Sequence, residues 1–103
     1  METMLVKGTG GSGHDVVGVV NIGKIVTPGA ILVTDATDPT MLADIMQASA
    51  VVTNEGGALC HTAVVCMEAG IPFVVGTRKA TVLLEQGSVI HVRPGMKAVF
   101  GCA

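Results

Sequence analysis

The chain has 103 residues, half of them apolar, only two aromatic, and a net charge of −2 with its three histidines neutral. That length suits one hydrophobic core. There is neither the basic patch nor the aromatic stacking surface that nucleic-acid binding uses, and no apolar run nears the ~20 residues of a membrane span. The core must be aliphatic, built from Val, Ile, Leu, Ala and six Met, and the fourteen glycines predict many tight turns. Cys60, Cys66 and Cys102 are odd in number and show no framework spacing. The opening METMLVKGTG lacks the apolar core of a signal peptide, so reduced thiols in the cytoplasm are expected.

Leu5 and Val6 open a short strand. The next run, GTGGSG from Gly8 to Gly13, spells G-x-G-x-x-G, but a dinucleotide fingerprint needs a helix after it. Val16-Val17-Gly18-Val19-Val20 comes instead, a β-branched strand, so the glycine run is expected to be a flexible turn between strands. Pro28-Gly29 marks a turn and Ala30 to Thr34 a buried strand. In DATDPT, Asp38 is placed to cap a helix whose first position is Pro39. Met41, Leu42, Ile45 and Met46 recur at helical spacing, giving a helix to about Ala48. Ala50 to Thr53 reads as another buried strand.

After a central stretch, Thr77 to Leu84 predicts a short helix ended by Gly87. Ser88–Val92 and Ala98–Phe100 predict a hairpin about Arg93-Pro94-Gly95. The order predicts a single α/β domain over residues 1–103 with a mixed sheet.

The central stretch is Thr53 to Gly76, TNEGGALCHTAVVCMEAGIPFVVG. A helix is predicted after Gly57, because LCHTAVVCMEA lacks period-two alternation and ends at a C-capping Gly70. Leu59, Ala63, Cys66 and Met67 are expected to line its buried side, which turns His61 outward. Gly56 and Gly57 let the backbone enter the helix sharply, and Thr53 adds a hydroxyl at the preceding strand end. A helix N-terminus offers unpaired N–H groups and the positive end of the dipole. That field disfavours an imidazolium, so His61 is expected neutral and nucleophilic, and the same N–H groups would hold an attached phosphoryl group. Positioning and charge stabilisation are most of what phosphoryl transfer requires.

Taken together, T-x-x-G-G-x-x-C-H-x-A and the GIPFVVG after it resemble the phosphohistidine (swivelling, or mobile) domain of phosphoenolpyruvate-utilising enzymes, in the form found in phosphoenolpyruvate synthases and pyruvate phosphate dikinase. The upstream ILVTDATDP, the helix after Gly76-Thr77 and the terminal hairpin are similar too, and the N-terminal third matches least. The resemblance implies a three-layer β/β/α fold of the swivelling type. It implies that His61 is phosphorylated, on Nε2, and that Thr53, Gly56, Gly57 and Cys60 frame it.

It also implies partners: nucleotide-binding and phosphoenolpyruvate- or pyruvate-binding domains or subunits, which would carry the Mg²⁺, while this domain binds no cofactor itself. The chain has room for neither of those domains, so turnover alone is not expected, whether it is a separate subunit or a piece of a longer polypeptide. Two departures stand out. Glu55 and Met67 occupy positions where the family usually has Arg, and losing guanidiniums weakens anion binding. The alternative is a degenerate docking module that kept the fold without the chemistry.

Other constellations are weaker. Cys60, His61 and Cys66 lack the paired spacing of a zinc site, and adjacent helical side chains such as Cys60 and His61 do not meet as a nucleophilic dyad. His14 and His91 read as ordinary, the latter on the exposed side of a strand. Arg78 and Lys79 read as a solvated helix face.

Overall fold

Runs of Val, Ile and Thr bounded by Gly, Pro and Asp turns make strands of much of the chain. The computed structural model describes residues 2–102. They form β1 (Glu2–Lys7), β2 (Gly10–Ser12), β3 (Val16–Ile22), β4 (Ile31–Thr34), α1 (Leu42–Gln47), β5 (Ala50–Thr53), α2 (His61–Ala69), β6 (Phe73–Val75), α3 (Ala80–Leu83), β7 (Val89–Arg93) and β8 (Ala98–Cys102). The strands lie in the order β1-β8-β7-β3-β4-β5-β6-β2. The side chain of Cys102 lies outside the described part.

β3 belongs to both halves of this sheet. Its residues 16–19 pair antiparallel with β7, and its residues 20–22 pair parallel with β4. The burial pattern agrees. Exposed and covered positions alternate over the first half of β3, whose outer face is wet, whereas β4 and β5 are buried at every position. Continuous burial is what a parallel sheet covered on both faces demands.

One core fills the space between the halves, with Ile31, Val33, Val52 and Val74 of the parallel strands against Val6, Ile90, Val92 and Val99 of the antiparallel ones. The alternate residues Leu32, Val51, Phe73 and Val75 face the other way, onto Met41 and Ile45 at α1 and Ala63 and Cys66 of α2. Right-handed β-α-β crossovers put both helices on that one face. The result is the three-layer β/β/α architecture of an α/β protein with a mixed sheet, as expected.

Three local expectations change. The glycine run is not a flexible turn: Gly10–Ser12 is an edge strand antiparallel to Phe73–Val75. Its glycines are there for close approach, since a Cβ on Gly8 would fall on the Val75 carbonyl oxygen, and one on Gly11 would come within 2.8 Å of the Pro94 oxygen. The helix expected over Thr77–Leu84 is confined to Ala80–Leu83, because Gly76 and Arg78 both take positive φ, 72° and 70°. Arg78 and Lys79 therefore precede that helix, although both are exposed as expected. The hairpin forms, but its connection is a 3-10 turn over Pro94–Met96 ending at a left-handed Lys97.

Gly8→Ala tests the close approach. It should lower the urea-unfolding free energy by about 1–3 kcal/mol, the usual range for overpacking. Gly95→Ala, whose Cβ would meet nothing within 4 Å, should stay within about 0.5 kcal/mol of the parent.

Candidate functional site

The loops that leave β4, β5 and β6 at their carboxyl ends are stitched into one surface by backbone hydrogen bonds. Asn54 N–H donates to the Thr34 carbonyl (3.2 Å), Glu55 N–H to Asp35 (2.9 Å), Thr77 N–H to Thr53 (3.1 Å) and Arg78 N–H to Asn54 (2.8 Å). Asn54, buried, adds three side-chain bonds to two residues. Its Nδ2 donates to Asp35 Oδ1 (3.0 Å) and Thr81 Oγ1 (2.7 Å), and its Oδ1 accepts from Thr81 N–H (3.1 Å). Sequence reasoning passes over this residue, which is one polar letter in TNEGG.

The expected framing residues take different parts. Thr53 is 0% exposed, and its hydroxyl donates to the Glu55 carbonyl (2.6 Å). It shapes the loop from within and does not present a hydroxyl to a ligand. Gly56 has φ 117°, and a Cβ there would come within 2.7 Å of Cys60 Sγ, so the loop requires glycine for conformation and for space. Gly57 is exposed and meets no such crowding. Cys60 is the residue from which α2 starts, with extended backbone and no side-chain cap. Its thiol is free and half-buried against the apolar cluster under the helices. The neighbouring Cys66 is pushed up to about 12, by burial first and by Cys60 second, and so stays a thiol.

His61 is the first residue of α2 and is exposed. The helix begins here, not directly after Gly57. Its first backbone bond runs from Val64 N–H to the Cys60 carbonyl (3.0 Å), so the N–H groups of His61, Thr62 and Ala63 stand ahead of the ladder. The helix ends as expected at a left-handed Gly70 (φ 73°). Its buried face differs from the expected one. Ala63 and Cys66 are buried, but Leu59 is 83% and Met67 48% exposed. Leu59 precedes the helix and does not keep its period, and an α2 that is apolar nearly all round gives no pattern from which to choose a side.

The residue that sequence reasoning missed is Thr37. Its Oγ1 lies 2.9 Å from His61 Nδ1 and 2.5 Å from Oγ1 of the buried Thr62. The pairing leaves Nε2 as the ring nitrogen without a protein partner among the described hydrogen bonds. Two proton orders are available: Nδ1–H donates to Thr37, or Thr37 donates to a bare Nδ1. Thr37 lies in the segment that caps the turn before α1. There Asp38 accepts from Thr40 N–H (2.8 Å) and from the Thr40 hydroxyl, as its N-cap position predicted. Those two bonds hold the Asp38 carboxyl below its ordinary value, with smaller help from Lys24 and His61.

Glu55 does not reach into open solvent alone. It lies against Asp35, whose hydrogen bond and charge raise the Glu55 carboxyl above its ordinary value, while Asn54 first and Glu55 second lower that of Asp35. Of the two, Glu55 is therefore the one that protonates first as pH falls.

Elsewhere, His91 is less ordinary than expected. Its side chain is 16% exposed, bonded to Glu2 and 3.7 Å from Asp15, and Arg93 bridges the same two acids. His14 is exposed, as expected. Among the described residues no group of three or more His, Cys, Asp or Glu side chains is placed to hold a metal ion, and no helix is long and apolar enough to cross a membrane.

The Asn54 network makes a direct prediction. Asn54→Ala removes the main cause of the Asp35 shift, so the Asp35 carboxyl should titrate closer to its ordinary value in a ¹³C-detected NMR titration. An unmoved Asp35 would show that Glu55, not Asn54, sets it.

Known proteins sharpen this picture. Residues 26–94 match the family described as PEP-utilising enzyme, mobile domain, leaving out the N-terminal part that resembles it least. The chain is similar to a probable phosphoenolpyruvate synthase of Archaeoglobus fulgidus, 49% identical over 67 residues that make 65% of this chain and 9% of that protein. It is similar also to a pyruvate kinase of Bacillus licheniformis, 43% identical over 77 residues, 75% of this chain and 13% of the relative. The chain thus spans only about a tenth of the curated relatives it matches.

Among solved structures, Enzyme I in solution superposes with a TM-score of 0.62 at 22% identity, over 72% of this chain and 31% of that one. Thermococcus kodakaraensis aconitase X superposes with a TM-score of 0.66 at 16% identity, over 96% of each chain. These two likenesses speak to the fold alone. The family match takes in the whole His61 loop and both helices beside it: the chain belongs to the mobile-domain family of PEP-utilising enzymes.

Proposed function

We propose that the chain is a phosphocarrier whose His61 accepts a phosphoryl group on Nε2 and returns it to a second site. The observation that carries this reading is the ring's placement. His61 is exposed at the first position of α2, where its own N–H and those of Thr62 and Ala63 precede the helix ladder, with Nδ1 held by Thr37. When Nδ1 carries the proton and donates to Thr37, the lone pair sits on Nε2. That lone pair attacks phosphorus, the donor oxygen leaves with the bonding electrons, and a P–N bond forms. The positive charge then on the ring is shared with the Thr37 oxygen, and the dianion faces a helix N-terminus. Reversal onto an acceptor oxygen frees the ring.

Donor and acceptor belong to partner domains or subunits, one for a nucleotide and one for phosphoenolpyruvate or pyruvate, in keeping with a relative of which the matched residues make only 9%. The Mg²⁺ such chemistry uses would be held there. On this chain Asp35 and Glu55 are engaged with each other and Asp35 also with Asn54, and two carboxylates of this kind do not make an octahedral site. The free thiols of Cys60 and Cys66 suit a reducing cytoplasm.

A docking module without chemistry is the second reading. The Asp35–Glu55 pair favours it, since two carboxylates stand near where an anion must pass.

Labelling separates the two. Phosphoramidate, a small phosphoryl donor, should place an acid-labile, base-stable phosphoryl group on Nε2 of His61. His61→Ala should reduce the label to background. Label that survives the substitution, or none on the parent chain, would remove the carrier reading. In ¹⁵N NMR the unphosphorylated ring should show the Nδ1–H form, and Thr37→Val should shift it toward Nε2–H and slow labelling by roughly tenfold, the worth of one good hydrogen bond. A ring whose tautomer ignores that change would deny Thr37 its role.

A further inference from the structure

We propose that Arg78 holds the phosphoryl group on His61, its guanidinium fork donating to two of the phosphoryl oxygens. This rests on the phosphocarrier reading and names the cation that reading requires.

The backbone singles this residue out. Arg78 sits in the left-handed region at φ 70°, where a side chain is a cost and glycine is not. At the left-handed positions nearby, Gly56 and Gly76, the chain does use glycine. Lys97, the other non-glycine residue with positive φ among the described ones, has a local reason for it, since it ends the 3-10 turn of the hairpin. Arg78 has no such reason in its own side chain. It is exposed, and among the described residues its guanidinium enters no ion pair. An arginine kept where the backbone favours glycine points to a use outside the packing.

Its segment is fastened to the connection that delivers His61. Arg78 N–H donates to the Asn54 carbonyl (2.8 Å), and Thr77 donates twice to the Thr53 carbonyl, from its N–H (3.1 Å) and its hydroxyl (2.9 Å). One residue earlier, Gly76 N–H donates to the Glu55 carbonyl (3.4 Å), and a Cβ on Gly76 would fall 2.6 Å from the Gly56 oxygen. Val75 and Cys60 in turn both crowd the place where Gly56 would carry a side chain. The end of β6 therefore runs along residues 53–56 and beside Cys60, the neighbour of His61.

The guanidinium is also available. Glu55, the acid on the adjoining loop, lies against Asp35 instead, and that contact raises its carboxyl above the ordinary value. The chain's other arginine, Arg93, bridges Glu2 and Asp15 and lies over the Phe100 ring (5.4 Å), so it is committed there. Lys79 is exposed next to Arg78, but an ammonium is a point charge, whereas a guanidinium spans two oxygens in one plane. Charge on a transferring phosphoryl group is spread over its oxygens, so a fork beside them favours both the transfer and the phosphorylated product.

Labelling of His61 by phosphoramidate, with stability measured on the same proteins, tests the assignment. Arg78→Gly removes the side chain and the strain together. It should raise the urea midpoint and yet slow labelling by roughly tenfold, the effect of losing a charge-assisted pair of hydrogen bonds on an exposed site. The ³¹P resonance of the phosphohistidine should shift in the same variant. Arg78→Lys, which keeps the charge and loses the fork, should recover only part of the rate. Lys79→Ala should label within about twofold of the parent, as an exposed charge without a partner would. An arginine that served only the fold would not move stability and labelling in opposite directions.

If Arg78→Gly labels at the parent's rate while His61→Ala takes no label, Arg78 is not at the phosphoryl group and the carrier reading stands. The assignment is likewise overturned if Arg78→Gly lowers the urea midpoint, if Lys79→Ala slows labelling as much, or if Arg78→Lys restores the whole rate. If the parent takes no label on His61, the carrier reading falls and the assignment falls with it.

Discussion

The structure depends on β3 being shared. Because residues 16–19 pair on one side and residues 20–22 on the other, a single sheet folds over itself and traps a core between its halves. That leaves the outer side of β4, β5 and β6 free to take α1 and α2. In a parallel sheet the loops that leave the carboxyl ends are the ones that can meet, which is where α/β proteins bind ligands. Here those loops bring Thr37, Asn54 and His61 to one surface. Asn54 and His61 belong to one connection, but Thr37 lies 24 positions before His61, and strand order brings it to them.

The glycines serve the same geometry by letting backbones touch. Gly10 lies with Ala58 of the His61 loop close above it, and Thr9 donates to the Gly56 carbonyl (3.2 Å). The N-terminal edge strand thus supports the loop from below, although its sequence reads as a linker. Gly56 then admits Cys60 Sγ into the space a side chain would take. The loop is fixed from three sides before α2 begins. A ring carried on it is positioned without being buried, which suits a group that must meet two different sites in turn.

How much of this could be read in the letters depends on whether a residue acts locally or across the fold. Parallel strands announce themselves as unbroken aliphatic runs, and AILVT and AVVT are legible for that reason. The Asp38 cap and the Gly70 stop are legible because capping chemistry is local. His61 at a helix start is legible from the glycines before it. Thr37 is not, because its partner lies 24 positions away and its own neighbourhood is occupied by a helix start. The buried face of α2 is not, because an apolar stretch without period carries no direction. GTGGSG is misread because glycine signals both freedom and proximity, and only the neighbour shows which is at work.

The residues that hold the fold and those that would carry the chemistry hardly overlap. The two cores are apolar and buried, whereas His61 is exposed and Thr37 only half-buried. Nothing in the packing would resist the loss of the imidazole. A scaffold of this kind can keep its shape through the gain or loss of its phosphoryl site, so the choice between a carrier and a dock does not turn on the architecture. It turns on how the exposed ring itself is held. A bond from Thr37 to Nδ1 stabilises little on an exposed ring, where the imidazole could turn to water at small cost. On the carrier reading its value would lie in favouring the order in which Nδ1 carries the proton and Nε2 is bare. A docking module has no use for that distinction, and a phosphocarrier does.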